Sequence, residues 1–488
     1  MNDYPVIAMV HYHLRRGGVT RVIQNAVEAL KRSPVRCVVL TGEAPSEDFK
    51  VNVPVVVVEG LGYDEHGALP TPENLVERAR QGVRDAVGAE PALWHIHNHA
   101  LGKNAVWTQA VSRLADEGEA LLLQMHDFAE DGRPANYRYL TEHLNPSGQA
   151  EMGRILYPQA ARTQYALLNS RDHRIMRRAG VSESRAHLLP NAVWTGAKDE
   201  EPNEQRNTDQ PLWLYPSRAI RRKNIGEFLL WSALDEDGGR YGITLAPQSP
   251  KEVPIYKQWK SFASEQRLPV LFEMGLTHDF HQLLASASAL VTTSIAEGFG
   301  LAFLEPWLAG RPLFGRDLPE ITSEFVDEGI DLHGLYTELT VPLDWIDQGD
   351  FRAKVRDALQ PMRQAYGQTY AEEDADEVVQ AAVSGDRIEF SRLDESLQQS
   401  VIAKVRASRA ARAAVMPERL ITEPHADGQV LANRKRVRVQ FGLEQYRERL
   451  LAAYHAVMDG GGASPPPVPA RAVLDQWLAP ERFYLLRS

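Results

Sequence analysis

Nine residues, EGFGLAFLE from Glu297 to Glu305, carry the most specific chemistry in this chain: two carboxylates bracketing two glycines. They follow an apolar, strand-like run, Ala289 to Ile295, and open a helical one that reaches Gly310. On a helix, eight steps of 100° would leave Glu297 and Glu305 about 80° apart, near one face. Gly298 and Gly300 let backbone amides approach a ligand at a helix N-terminus, where the free amide hydrogens attract anions. The expected chemistry is a diphosphate held at the helix end, with sugar hydroxyls held by the carboxylates. Glu65/Glu73, Glu265/Glu273 and Glu320/Glu328 repeat the spacing. Only the Glu297 pair joins a strand end to intervening glycines, the place where open α/β sheets bind ligands.

Three further segments could share that chemistry. In LWLYPSRAIRRKNIGEF, residues 212 to 228, Arg218 and Lys223 stand between a strand and a helix. Two cations there can stabilise the charge that grows on a departing diphosphate. Arg221 and Arg222 are expected to face solvent. In HYHLRRGGVTRVIQNAVEAL, residues 11 to 30, Gly17 and Gly18 join the first strand to a helix, which suits an anion cradle or a plain tight turn. The dinucleotide spacing GxGxxG is missing. In LLLQMHDFAEDGRP, residues 121 to 134, His126 and Asp127 end a strand, and a neutral imidazole can hydrogen-bond a sugar hydroxyl or a backbone group.

Other polar clusters read as structural. His95, His97 and His99 alternate along WHIHNH and would project to one side of a regular strand, but no cysteine or HExxH motif accompanies them, so no metal site is expected. The acidic runs Asp235 to Asp237 and Glu372 to Glu377 read as helix ends or exposed stretches.

Positioning such groups requires two sheets. Strand-length apolar runs alternate with helical patterns through Val6 to His11, Val19 to Leu30, Val35 to Leu40, Val53 to Val58, Leu75 to Val87, Ala92 to Ile96, Ala105 to Leu114, Ala120 to Met125 and Tyr165 to Leu168. Continuous apolar strands separated by helices predict a parallel sheet covered on both faces. After the polar stretch Thr195 to Pro211 the alternation restarts with Leu212 to Tyr215, Gly226 to Leu234, Tyr241 to Ala246, Pro269 to Phe272, Phe280 to Ala287, Ala289 to Thr293 and Leu301 to Leu308. Beyond Gly349 the chain reads as mostly helical, with an Ala/Arg-rich stretch, Val401 to Val415. A helix, Leu443 to Met458, precedes a glycine run, a proline linker from Pro465 to Pro469, and an aromatic tail.

Bulk properties agree with two domains, because 488 residues exceed the ~250 to 300 at which one core stops growing. A net charge of −11 disfavours nucleic acid and anionic membrane surfaces as partners. Cys37, the single cysteine, reads as a buried strand residue and allows no disulfide framework, as in a reducing cytoplasm. No apolar run approaches the ~20 residues of a membrane span.

Taken in order, GGV at 17 to 19, His126-Asp127, PNAV at 190 to 193, the Arg218/Lys223 pair and EGFGLAFLE resemble the retaining, nucleotide-sugar-dependent glycosyltransferases of the GT-B fold, in the large family that contains sucrose synthases and bacterial mannosyltransferases. The match covers roughly residues 5 to 320. The resemblance implies an α/β fold of two Rossmann-like doubly wound domains facing across a cleft, with an added helical C-terminal segment. The acceptor domain would span 1–197, and the donor domain 198–442 with its helical extension at about 350–435. A helix and tail, 443–488, would pack back on the first domain. It also implies that Arg218 and Lys223 bind the donor diphosphate, that Glu297 holds the donor sugar, and that Glu305 binds the ribose. Gly17 and Gly18 would lie near the phosphates, Phe299, Gly300 and Leu301 would offer backbone contacts, and His126 would touch the sugar from the first domain. Family members need no metal or cofactor; the nucleoside diphosphate sugar is a co-substrate. PNAV departs from the more usual NGV-type turn, and the helical segment is longer than is typical.

The reaction so implied moves a hexose to a hydroxyl of a small polar acceptor with retention, in a cytoplasmic protein that could form homo-oligomers. Arg15, Arg16 and Arg133, in loops beside Gly17 and His126, point to an acceptor bearing carboxylate or phosphate. A phosphorylase or a sugar-nucleotide epimerase would share the phosphate-binding edge. A noncatalytic scaffold binding sugar nucleotides is the alternative from another class.

Overall fold

The computed structural model describes residues 4–64, 70–193, 210–236, 238–415 and 427–488. The expected boundary at 197/198, and all of the polar stretch 195–211 but its last two residues, lie outside them. The chain divides into two compact units: Met1–Trp194 with Ala365–Gln368 and Val439–Ala479, and Thr195–Gln364 with Thr369–Arg438 and Pro480–Ser488. The tail, read from the sequence as one piece, is thus shared between the units.

The first unit is built on seven strands: β1 (Val6–Val10), β2 (Arg36–Thr41), β3 (Val55–Val57), β4 (Leu93–His97), β5 (Leu121–Met125), β6 (Thr163–Leu167) and β7 (Ala186–Leu188). They pair in parallel in the order β3-β2-β1-β4-β5-β6-β7. Strands β1, β4, β5 and β6 are buried along their whole length, which is why they read as unbroken apolar runs. Connecting helices carry their own start and stop signals. Helix Pro72–Val87 opens on Thr71, whose side chain accepts from the Asn74 amide, and closes on Gly88 at φ 69°. Helix Leu443–Met458 lays Tyr446, Leu450, Ala453, Tyr454 and Val457 into the same core as Ile7, Met9, Ile23 and Leu122.

The second unit repeats the plan with β8 (Leu212–Arg218), β9 (Arg240–Leu245), β10 (Val270–Leu271), β11 (Ala289–Thr292), β12 (Leu313–Arg316) and β13 (Leu335–Tyr336), parallel in the order β10-β9-β8-β11-β12-β13. Both sheets reverse direction beside their first strand, between β1 and β4 and between β8 and β11, and ligands of open sheets bind at such switch points. The region beyond residue 349 is helical at Gln348–Ala365, Glu372–Ala382, Glu395–Ala407 and Arg409–Val415. It also supplies two strands of a small antiparallel sheet not foreseen from the sequence, β14 (Thr340–Pro342), β15 (Val383–Ser384) and β16 (Arg387–Glu389). Val401, Ile402 and Val405 of the Ala/Arg-rich stretch lie in the unit's main core.

Glycine is required where β12 passes β11. Gly315 sits at φ +119°, and a Cβ there would stand 1.9 Å from the Thr292 carbonyl oxygen. Strain and overlap together predict that Gly315→Ala lowers stability by at least about 2 kcal/mol, measured by urea unfolding.

The first sheet also carries a buried histidine core. His95 Nδ1 meets the Tyr454 hydroxyl at 2.9 Å and its Nε2 meets Gln124 Oε1 at 2.8 Å, His97 Nδ1 meets His126 Nε2 at 2.8 Å, and His99 Nε2 meets the Leu156 carbonyl at 2.9 Å. The three side chains of WHIHNH therefore serve four different partners and share none. The strand stops at His97 because Asn98 turns the chain at φ 57°. Burial pushes His11 and His126 down to about 3 and His95 and His99 to about 4, and drives His97 well below its ordinary value. Folded, these rings stay neutral; unfolded, they titrate near 6.5. Below pH 6.5 the unfolded chain gains protons that the folded chain refuses, so stability falls toward pH 4, by up to about 1.4 kcal/mol per pH unit for each ring. Urea midpoints should fall steeply between pH 7 and 5; a flat profile would contradict burial of the neutral rings.

Candidate active site

In the second unit the turns that follow β8 and β11 are laced together before any side chain of interest is placed. After β8 the chain makes a 3-10 turn, Arg221–Lys223, and reverses through Asn224 at φ 48°. The Ile295 amide donates to the Arg222 carbonyl at 3.0 Å, and Thr293 Oγ1 lies 3.0 Å from the carbonyls of Lys223 and Asn224. The buried Tyr215 hydroxyl donates to the Lys223 carbonyl at 2.9 Å. Two strand-end turns thus become one rigid platform.

On that platform Lys223 Nζ donates to Glu297 Oε1, and Arg222 Nη1 reaches Glu297 Oε2 at 3.2 Å and the Ala296 carbonyl at 2.6 Å. Only 11% of the Lys223 side chain and 10% of that of Glu297 remain exposed. Burial opposes the charge on Glu297, yet Lys223 and Arg222 hold its carboxyl below the ordinary range. Burial, joined by the charge of Arg222, pulls the Lys223 ammonium below its usual value, against the pull of Glu297 and Glu305. The lysine is held near the surface by a partner that a stronger anion can replace. An incoming diphosphate would compete for Lys223, and the carboxylate so released can accept hydrogen bonds from hydroxyls.

Two expectations are corrected. Glu297 and Glu305 do not share a helix: Leu301–Phe303 is a 3-10 turn and the helix proper is the four residues Glu305–Leu308, so the 80° argument fails and there is no long helix end to hold a phosphate. The cause is Gly300, at φ +97°, which turns the chain where a helix would have run. Arg221 and Arg222 do not simply face solvent: Arg222 binds Glu297, and Arg221 binds Glu395 at 2.6 Å.

The remaining residues singled out from the sequence fall as follows. Arg218 ends β8 with an exposed guanidinium that makes no ion pair among the described residues, just past a bulge in the pairing with β9. Exposed Glu305 opens the short helix, and its charge reaches Lys223. Phe299 is buried edge-on against Phe325, with ring centroids 5.7 Å apart, and Leu301 is half-buried in the 3-10 turn. A Cβ on Gly300 would stand 2.8 Å from Ile321, so glycine serves the turn itself.

In the first unit Gly17 caps and Gly18 begins helix Gly18–Leu30. A Cβ on Gly18 would meet nothing within 4 Å, so packing does not explain the glycine. His126 is held by the Asn98 side chain, whose Oδ1 accepts from the His126 amide at 2.7 Å and from the Asp127 amide at 3.1 Å. Arg15 forms a two-pronged pair with Glu43 at 2.6 Å, and Arg133 binds Asp127 at 2.5 Å, whereas Arg16 is exposed. The Tyr366 hydroxyl accepts from the Arg133 amide at 2.8 Å and lies 3.0 Å from the Glu130 carbonyl. Sequence reading missed Asn98 and Tyr366, and assigned Arg222 to solvent. Asn98 had a signal, an asparagine just past an apolar strand; Tyr366, more than 230 residues from its partners, had none. Among the described residues no group of three or more His, Cys, Asp or Glu stands where it could hold a metal ion, and no helix is long and apolar enough to cross a membrane.

No family model matches the chain. Mannosylglucosyl-3-phosphoglycerate synthase of Petrotoga mobilis is 26% identical over 341 residues, which cover 64% of this chain and 65% of that protein, so the chain spans less than two thirds of the relative's length. Among solved structures, sucrose-phosphate synthase of Thermosynechococcus elongatus aligns with a TM-score of 0.52 at 14% identity, over 93% of this chain and 99% of that one. The catalytic domain of starch synthase IV of Arabidopsis thaliana, bound to ADP and acarbose, gives 0.51 at 12% over 93% and 99%. Anabaena HepE, in complex with UDP and glucose, gives 0.50 at 12% over 93% and 100%. With two parallel sheets wound in the same order and this likeness along nearly its whole length, the chain has the GT-B fold and resembles the glycosyltransferases built on it.

Proposed function

We propose that this protein is a retaining glycosyltransferase that moves a hexose from a nucleoside diphosphate sugar to a hydroxyl of a small, anionic acceptor. The observation that carries the reading is the buried Lys223–Glu297 pair, with Arg222, at the switch point of the second sheet. Bound structures of similar fold support a nucleotide and a sugar as ligands, since HepE holds UDP and glucose and starch synthase IV holds ADP.

The donor diphosphate takes Lys223 from Glu297 and recruits the exposed Arg218. As the bond from the anomeric carbon to the phosphate oxygen breaks, charge accumulates on the β-phosphate and both cations stabilise it more than they stabilise the intact donor. Glu297, freed from the lysine, orients the sugar through its hydroxyls, while Glu305 accepts from the ribose. The acceptor oxygen bonds to the anomeric carbon on the face the phosphate leaves, and the leaving phosphate oxygen takes the acceptor's proton. Retention then follows without an enzyme nucleophile, and fixed cations do the work a metal would do.

The acceptor side falls to the first unit. Because Arg15 and Arg133 are committed to Glu43 and Asp127, exposed Arg16 becomes the leading contact for an acceptor anion. The product named for the Petrotoga relative carries a phosphoglycerate, which supports an anionic acceptor here. Cys37 lies within β2, where burial pushes its thiol up to about 12, so it fits a protein kept in a reducing cytoplasm and has no part in the chemistry.

A panel of nucleoside diphosphate sugars tests the donor site. Wild type should bind one donor and slowly release its nucleoside diphosphate, and Glu297→Ala or Lys223→Ala should cut that release by about 10² to 10³. No binding at millimolar donor would end the transferase reading; release that requires inorganic phosphate would replace it with a phosphorylase. On the acceptor side, Arg16→Ala should raise the Michaelis constant for phosphorylated acceptors and leave the donor constant alone. An unchanged acceptor constant removes the anion contact.

A further inference from the structure

The extension beyond residue 349 has no role in the chemistry above, yet two side chains of its stretch 389–398, Glu395 and Gln398, bind the turn that carries Lys223, and a third, Glu389, braces it from behind through Arg316 and Glu227. Arg221 Nε donates to Glu395 Oε1 at 2.6 Å and its Nη2 to Glu395 Oε2 at 3.1 Å. The same Nη2 lies 2.9 Å from the Leu485 carbonyl. The Arg221 amide also donates to Glu252 Oε1 at 3.2 Å. At the other end of the turn, Gln398 Nε2 donates to Asn224 Oδ1 at 3.0 Å, and Asn224 Nδ2 donates to Glu227 Oε2 at 2.7 Å. Glu227 is fully buried and receives Arg316 Nη2 at 2.6 Å; the same nitrogen reaches Glu389 Oε1 at 2.6 Å. Both flanks of Arg221–Asn224 are therefore fastened to helix Glu395–Ala407, and the Asn224 flank is linked on to β16 through Glu227 and Arg316. The fit is close: a Cβ on Gly226 would stand 2.1 Å from Gln398 Oε1.

We propose that Glu395 and Gln398 are positioning residues for the donor site: by clamping Arg221 and Asn224 they hold Lys223 against Glu297 and set where the donor diphosphate binds. This inference rests on the transferase reading for its kinetic consequence, but not for its geometry. Arg221 and Glu395 keep 21% and 15% of their side chains exposed, and an ion pair in partial contact with water adds little to global stability. Its position, two residues from the lysine, is what gives it leverage, because a displacement of about 1 Å at a reacting group costs on the order of 10²-fold in rate.

Lysine labelling followed by mass spectrometry reads the clamp without any substrate. In wild type Lys223 should react slowly, being nine-tenths buried, while Lys257, on the exposed side of helix Val253–Glu265, serves as the fast control. Glu395→Gln and Arg221→Lys should raise Lys223 labelling several-fold, leave Lys257 labelling unchanged, and leave the melting temperature near that of wild type. In donor turnover the same variants should raise the Michaelis constant and lower kcat, and the exchange Arg221→Glu with Glu395→Arg should recover part of both. A merely structural role would lower the melting temperature without singling out Lys223. Folded variants with wild-type Lys223 labelling overturn the clamp even if donor turnover is present. If wild type turns over no donor, the transferase reading falls and the labelling still decides the clamp. Gln398→Glu, which keeps the size of a residue with no exposed surface, supplies a second test from the other flank should Glu395→Gln fail to fold.

Discussion

Keeping a lysine and a glutamate charged with about a tenth of their side-chain surface in water is the constraint around which the second unit is organised. Removing such charges from water costs several kcal/mol per ion unless geometry and further hydrogen bonds compensate. Here the compensation is layered: Arg222 on the free carboxylate oxygen, Tyr215 and Thr293 on the turn carbonyls, and behind them a second buried ionic group of Arg316 between Glu227 and Glu389. Although burial opposes its charge, the two glutamates hold the Arg316 guanidinium well above its already high value, so it acts as a permanent brace. A site of this kind is tense toward anions, since its cation is already desolvated and already aimed.

The first unit solves a different problem with uncharged groups. The middle of its sheet, at β4 and the ends of β1 and β5, is packed with imidazoles that burial keeps neutral, joined to the tyrosine of a helix far along the chain. Asn98, in a left-handed conformation that asparagine tolerates better than most residues, turns its side-chain oxygen to the amides of His126 and Asp127 and fixes the strand-end turn. Polar atoms there supply shape and hydrogen-bond direction without net charge.

Much of this was legible from residue order. Strand-length apolar runs announced β1, β2, β4, β5, β8, β9 and β11, because parallel strands buried on both faces must be apolar throughout. The switch-point loops with Gly17, Lys223 and Glu297, and the loop with His126 after β5, were marked by glycines and polar or charged residues at strand ends. What escaped has physical reasons. Edge strands β7 and β13 are two or three residues long and leave no periodicity to read. The helix expected through EGFGLAFLE was broken by a left-handed glycine whose φ no local pattern reveals. Arg221 looked like a solvent-facing residue because its partner, Glu395, lies 174 positions away.

The way the core of the first unit is assembled bears on how the protein is made. Ile7, Met9, Ile23 and Leu122 are covered by Tyr446, Leu450 and Tyr454, and the loop at Arg133 is fastened by Tyr366. At translation rates of about 5 to 20 residues per second, tens of seconds separate the emergence of that apolar face from the emergence of the helix that shields it. During this interval the nascent chain carries that apolar face uncovered while nearly all of the second unit, all but Pro480–Ser488, is synthesised. Because each unit is drawn from separated stretches of the chain, neither can be inherited or exchanged as a contiguous block of sequence.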